Sequence, residues 1–213
     1  MIEKLHIKKI TTAFCRVLSV IFYPMFIPFY GIYLLMNTTP FSIYMPVYLS
    51  LIKLIIGVFT LVVPGLILWT TMKMGAVSNF QIDNRRQRTV PYLLTLVSYI
   101  VCLYLLYKIR VPLFLLLLSG GVILSLLAVM IINFWWKISA HASSAGGFLG
   151  AVLLTCWVFK MNPVGFLIAV VLLCGLVAFA RLYLRAHTPA QVLAGFSLGL
   201  FCVGILPYII IMM

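Results

Sequence analysis

Seven apolar runs, at about residues 12–36, 47–72, 90–107, 111–135, 142–159, 162–181 and 190–212, divide this chain. A bilayer core about 30 Å thick takes roughly 20 residues per helix, and only structures that satisfy their own backbone can cross it. Such runs commit the chain to an all-α fold whose solvent is lipid. Composition agrees. Soluble domains carry about 25% charged residues, whereas this chain carries 8%, and its only acids are Glu3 and Asp83. That is too little polar side chain to coat a water-facing surface. The expected architecture is a polytopic integral membrane helical bundle of six to seven transmembrane helices. It forms one membrane domain over 1–213, with N-terminal spans in 1–72 and a functional core in 73–213. Pro24 and Pro28 predict a kinked or partly re-entrant first segment.

The net charge of +13 is distributed between the apolar runs, with no continuous basic patch or arm. This argues against a nucleic-acid partner and for loop anchors and an anionic ligand. Five cysteines lie singly inside apolar runs, without Cys-x-x-Cys or zinc spacing, and read as small core residues, with no metal or cofactor site expected among them. The basic start followed by a long run reads as a retained first span, not a signal peptide. With seven crossings, segments 73–90, 135–141 and 181–189 emerge on the face that carries the N-terminal tail with Lys4, Lys8 and Lys9. The Lys/Arg bias assigns that face to the cytoplasm, and the expected setting is a bacterial cytoplasmic membrane.

Those three segments hold the side chains capable of chemistry. His141 closes Lys137-Ile-Ser-Ala-His141 at the entry to the fifth run, and His187 lies in Arg181-Leu-Tyr-Leu-Arg185-Ala-His187-Thr-Pro-Ala-Gln191 before the seventh. Two interfacial histidines flanked by cations on one face constitute a candidate site. Thr188-Pro189-Ala190-Gln191 has the pattern of a helix start with a capping box, which places His187 just ahead of a helix N-terminus, where phosphate is favoured. In Asp83-Asn-Arg85-Arg86-Gln-Arg88, a locally helical path puts Arg85 and Arg88 on one side, and Arg86 is free to pair with Asp83 or lipid headgroups. Guanidinium groups suit bidentate phosphate binding. Gly146-x-x-x-Gly150 and Gly195-x-x-x-Gly199 predict close helix packing, within one chain or between chains, so the oligomeric state stays open.

Arg181-x5-His187-x3-Gln191 resembles the third signature of the type 2 phosphatidic acid phosphatase (PAP2) superfamily, S-R-x5-H-x3-D, and Ile138-Ser139-Ala140-His141 resembles its second, P-S-G-H. The Arg85–Pro91 stretch is loosely similar to the first, K-x6-R-P. The resemblance covers roughly 73–212 and implies metal-independent phosphotransfer through a phosphohistidine. His187 would attack phosphorus and His141 would protonate the leaving oxygen. Arg181, Ser139 and one or more of Arg85 and Arg88 would hold phosphate oxygens, with Lys137 adding positive charge. The partners it implies are a phosphorylated lipid and the bilayer.

Gln191 stands where the family has Asp. Its amide oxygen can accept from the His187 ring but cannot support a developing positive charge as a carboxylate does. Ala180, Ile138 and Ala140 replace the Ser, Pro and Gly of the signatures. Two readings follow: a membrane lipid phosphatase or diphosphatase acting on phosphatidate, phosphatidylglycerophosphate or polyprenyl diphosphate, and a catalytically degenerate relative that binds or transports lipid phosphates. A prenyltransferase, which holds diphosphate through magnesium and several carboxylates, is disfavoured by a chain with two acids.

Overall fold

A computed structural model describes residues 2–82 and 84–213, with the side chains other than those of 2–7 and 42. Among the described residues the chain is helical and has no strand. Helix α1 (Ile2–Ile21) bends by 66° into α2 (Phe26–Thr38). Six long apolar helices follow: α3 (Pro46–Lys73), α4 (Arg85–Lys108), α5 (Leu113–Asn133), α6 (Ala140–Val158), α7 (Val164–Tyr183) and α8 (Pro189–Met212). By length and composition each can cross a membrane, and the bent pair supplies a seventh crossing when counted as one span. The protein is an all-α integral membrane bundle.

The break between α1 and α2 contains Pro24, whose missing N–H and ring interrupt a helix. Helix α2 then carries the chain from one end of the bundle to the other. Ser19 sits beside Arg181 and His141 at one end, and Phe41, just past α2, packs on Phe114 and Phe159 at the other. Two further prolines leave local marks, because π-helical turns at Val58–Val62 and Phe201–Ile205 each precede a proline, Pro64 and Pro207. Large apolar side chains such as Leu54, Val97 and Leu172 remain exposed, as a lipid solvent allows. Lysines stack on aromatic rings at both ends, Lys73 on Trp69 and Lys108 on Tyr104 among them, as interface anchors do.

Helices α6 and α8 form the tightest pair. A Cβ at Gly146 or Gly199 would collide with the backbone carbonyls of Phe196 and Ser143, and Gly150 lies against Gly204. The two G-x-x-x-G patterns therefore face each other inside one chain. This approach also seats Gly195 on the Ser139 carbonyl and brings the N-termini of α6 and α8 together.

Candidate active site

Each histidine is positioned by a helix end. Ser139 is the N-cap of α6, its hydroxyl accepting from Ala142 N–H at 3.3 Å, and His141 stands in the first turn. Helix α7 closes with Arg185 in the left-handed region (φ 52°) and the Ala186 N–H donating to the Arg181 carbonyl. That reversal delivers His187 to the start of α8. There Thr188 and Gln191 form the capping box: the Thr188 hydroxyl accepts from Gln191 N–H and Gln191 Oε1 accepts from Thr188 N–H.

The three segments are joined by direct hydrogen bonds. Ser139 N–H donates to the Gln191 carbonyl at 3.3 Å. His187 Nδ1 lies 3.1 Å from the Lys137 carbonyl and 3.2 Å from Gln191 Oε1. Arg88 donates from Nε to the Ile82 carbonyl at 2.8 Å and from Nη1 to the Ile138 carbonyl at 3.3 Å. Ile82, a buried β-branched residue, is held at φ 46°, an unfavourable conformation that turns its carbonyl toward Arg88. Arg88, Ser139, His141, Arg181 and His187 are all buried, with exposures between 0 and 7%.

Arg85 and Arg88 lie on a 3₁₀ turn and both reach the 134–138 segment, at different depths. Arg88 is inside the site. Arg85 is at the rim, its Nη1 donating to the Phe134 carbonyl at 2.8 Å while its own carbonyl accepts from Asn133 Nδ2 at 2.9 Å. Arg86 is exposed, and its expected pairing with Asp83 falls outside the described residues. Lys137 is half-buried and lends its carbonyl to His187.

The surroundings fix the protonation of His187. Both oxygens facing Nδ1 can only accept, and the amide of Gln191 is oriented by the Thr188 N–H that its oxygen also binds. Nδ1 therefore carries the proton and Nε2 the lone pair. Burial, followed by the positive charges of Arg88 and Arg181, lowers the His187 pKa to about 4, so the ring is neutral at physiological pH. His141 Nε2 lies 2.9 Å from the Ser19 carbonyl, which makes Nε2 the protonated nitrogen and leaves Nδ1 for proton exchange.

The sequence reading missed three contributors. Ser19 holds both His141, through its carbonyl, and Arg181, whose Nη1 donates to its hydroxyl at 3.2 Å. Gln81 Oε1 accepts from the same Nη1 at 3.4 Å. Tyr23 stands edge-on to His141, with centroids 5.3 Å apart, and donates its hydroxyl to the Phe80 carbonyl. None belongs to a signature. A serine just before a helix break and a tyrosine within it were the available hint. Among the described residues, no three His, Cys, Asp or Glu side chains gather as a metal site.

A polytopic membrane bundle with two histidines and two buried arginines at one end defines a class of protein that can bind and act on an anionic group. Residues 132–212 match the sequence model of the PAP2 superfamily. The match spans both histidines, Arg181 and Gln191, and supports a phosphatase-type function in general terms. No curated protein and no solved structure matches the chain.

Proposed function

We propose that the protein is a membrane lipid phosphatase or diphosphatase that works through a phosphohistidine at His187. The observation that carries this reading is the clamp on His187 Nδ1 by two acceptor oxygens beside Arg88 and Arg181. A neutral imidazole with its lone pair on Nε2 is a competent nucleophile. Nε2 attacks phosphorus and the bond from phosphorus to the leaving oxygen breaks, while His141, which takes up a proton on Nδ1 as the anionic phosphate binds and so enters the step as an imidazolium, passes that proton to the leaving oxygen. Water then attacks the phosphohistidine and gives a proton to His141, while the P–N bond breaks and frees His187 and phosphate. Arg181, Arg88 and the Ser139 hydroxyl stabilise the equatorial oxygens, and Lys137 adds charge at the rim.

Most described basic residues at loop ends belong to segments on the site's side of the bundle, Lys8, Lys9, Lys73, Arg86 and Arg185 among them, which supports reading that side as cytoplasmic. Reporters fused to the two termini are expected in different compartments.

A second reading is supported by Gln191. The site has an amide where an imidazolium formed during attack would gain most from a carboxylate. On that reading the protein binds or carries lipid phosphates without turnover. The two readings are separated by phosphate release from phosphatidate, phosphatidylglycerophosphate and polyprenyl diphosphate in detergent without added metal. The hydrolase reading expects release that is lost together in His187→Ala and His141→Ala. The binding reading expects no release, and retention weakened by Arg181→Ala.

A further inference from the structure

The carbonyl that meets His141 is available because of Pro24. In an unbroken helix the Val20 carbonyl would accept from the N–H of residue 24, and proline has none. Tyr23 N–H takes that carbonyl instead, at 3.2 Å, while Phe22 N–H bonds the Leu18 carbonyl at 2.9 Å. The Ser19 carbonyl, the usual acceptor for Tyr23, is thereby passed over by the helix ladder and lies 2.9 Å from His141 Nε2. The hydroxyl of the same residue is committed as well. Ser19 Oγ–H donates to the Cys15 carbonyl at 2.9 Å, so Arg181 Nη1, at 3.2 Å, meets its lone pairs. Cys15 and Leu18 seat this end of α1 against Ala180 in the last turn of α7, and Ser19 is buried.

Two atoms of one buried residue thus face the proton donor and an anion-binding guanidinium, and they come from a helix outside residues 132–212. We propose that Ser19 is a positioning residue: its carbonyl fixes the His141 ring with Nδ1 turned toward the leaving oxygen, and its hydroxyl fixes Arg181 on the phosphate. The proton passes through Nδ1 while Nε2 keeps its own, and no bond to Ser19 forms or breaks. The C-terminal end of a helix also carries partial negative charge, which here faces the ring that becomes an imidazolium, in a chain with only two acids. For the proton transfer the inference rests on the proposed function; for the placement of ring and guanidinium it rests on the hydrogen bonds alone.

The test separates carbonyl from hydroxyl. Replacing Val20 by its α-hydroxy analogue turns the Ser19–Val20 amide into an ester, whose carbonyl is a weaker acceptor. The same replacement at Val17, one turn earlier, controls for the lost helix N–H. In nanodiscs at neutral pH, the ¹⁵N signals of His141, assigned by their loss in His141→Ala, should show the Nε2–H form in the wild type, the control and Ser19→Ala, and a mixture with the Nδ1–H form in the Val20 ester. Orthovanadate, titrated by calorimetry, should bind Ser19→Ala about 10-fold more weakly, as for loss of a hydrogen bond to a charged group, with Ser19→Thr and the ester within about 2-fold of wild type. In phosphate release, the ester should lower kcat about 10-fold and leave KM in place. An Nδ1–H ring in the wild type, or an unchanged spectrum in the ester together with wild-type orthovanadate affinity in Ser19→Ala, would overturn the inference. The expected spectra and affinities without phosphate release leave the positioning role standing and remove the hydrolase reading. Release unmoved in both variants does the reverse.

Discussion

Helix α6 meets α8 across glycines and meets α2 and α5 across a cleft, and the two interfaces differ in mechanical character. At Gly146, Gly150 and Gly199 the backbones touch, so neither helix can shift without breaking contacts along its length. That rigidity is useful at the end where Ser139, His141, His187 and Gln191 must keep their hydrogen-bonded register. On the other side the helices stand apart around an apolar cleft of about 430 Å³, where side chains can repack. One helix thus separates a rigid glycine seam beside the candidate site from an apolar cleft with room to adapt.

The largest effect should come from filling the tight interface. Gly199→Leu drives a side chain into the Ser143 carbonyl, a backbone atom that cannot yield, and is expected to cost about 3 kcal/mol or more. Thermal unfolding in detergent reads this as a strongly lowered midpoint or no monodisperse protein. A wild-type midpoint would dissolve the contrast between the two faces.

Gln191→Ala comes next. It removes one of two acceptors at His187 Nδ1 and half of the capping box, leaving the Lys137 carbonyl. Phosphate release should fall roughly 10- to 100-fold, as for other groups that orient a working imidazole. Gln191→Asp should raise it above wild type, by supplying the charge that the amide lacks.

The pH profile gives a smaller, signed test. Attack needs neutral His187, and burial with neighbouring cations has lowered its pKa to about 4. The acid limb of kcat/KM should therefore be flat through the usual histidine range and fall only as pH drops through about 4, where the ring gains its proton. Lys137→Met removes one of the charges that lower the pKa and should move the limb upward. A wild-type limb at about 6.5 would mean that neither burial nor the neighbouring cations act on this ring.

The smallest effect is expected in the cleft. Val122→Ala removes methyl groups from a wall that already faces empty space, so stability should change by about 1 kcal/mol or less. A loss comparable to that of Gly199→Leu would show the cleft to be as tightly constrained as the glycine seam.

Much of this was legible from local pattern. The spans follow from unbroken apolar runs, the α8 start from Thr188, Pro189 and Gln191, and the histidine pair from spacing that survives the loss of neighbouring Pro and Gly. Contacts remote in sequence were not legible. Ser19 reaches His141 across 122 positions and Arg181 across 162, and no periodicity encodes such a meeting. The roles of Arg85 and Arg88 diverge for a related reason, because depth below the rim depends on where Phe134 and Ile138 carry their carbonyls. The glycine motifs announced close packing but not their partner, which proves to be each other. Cleft volume is a property of gaps between helices and has no sequence signature.

The central claim is that His187 Nε2, its partner nitrogen clamped by two oxygens, is the phosphorus acceptor. It is tested most directly by rapid quenching at neutral pH during turnover of radiolabelled lipid phosphate, followed by peptide mapping. The account predicts an acid-labile, base-stable phosphoryl group on His187, transient in the wild type and absent in His187→Ala. Phosphate release with no label on His187, or a label on another residue, would contradict it.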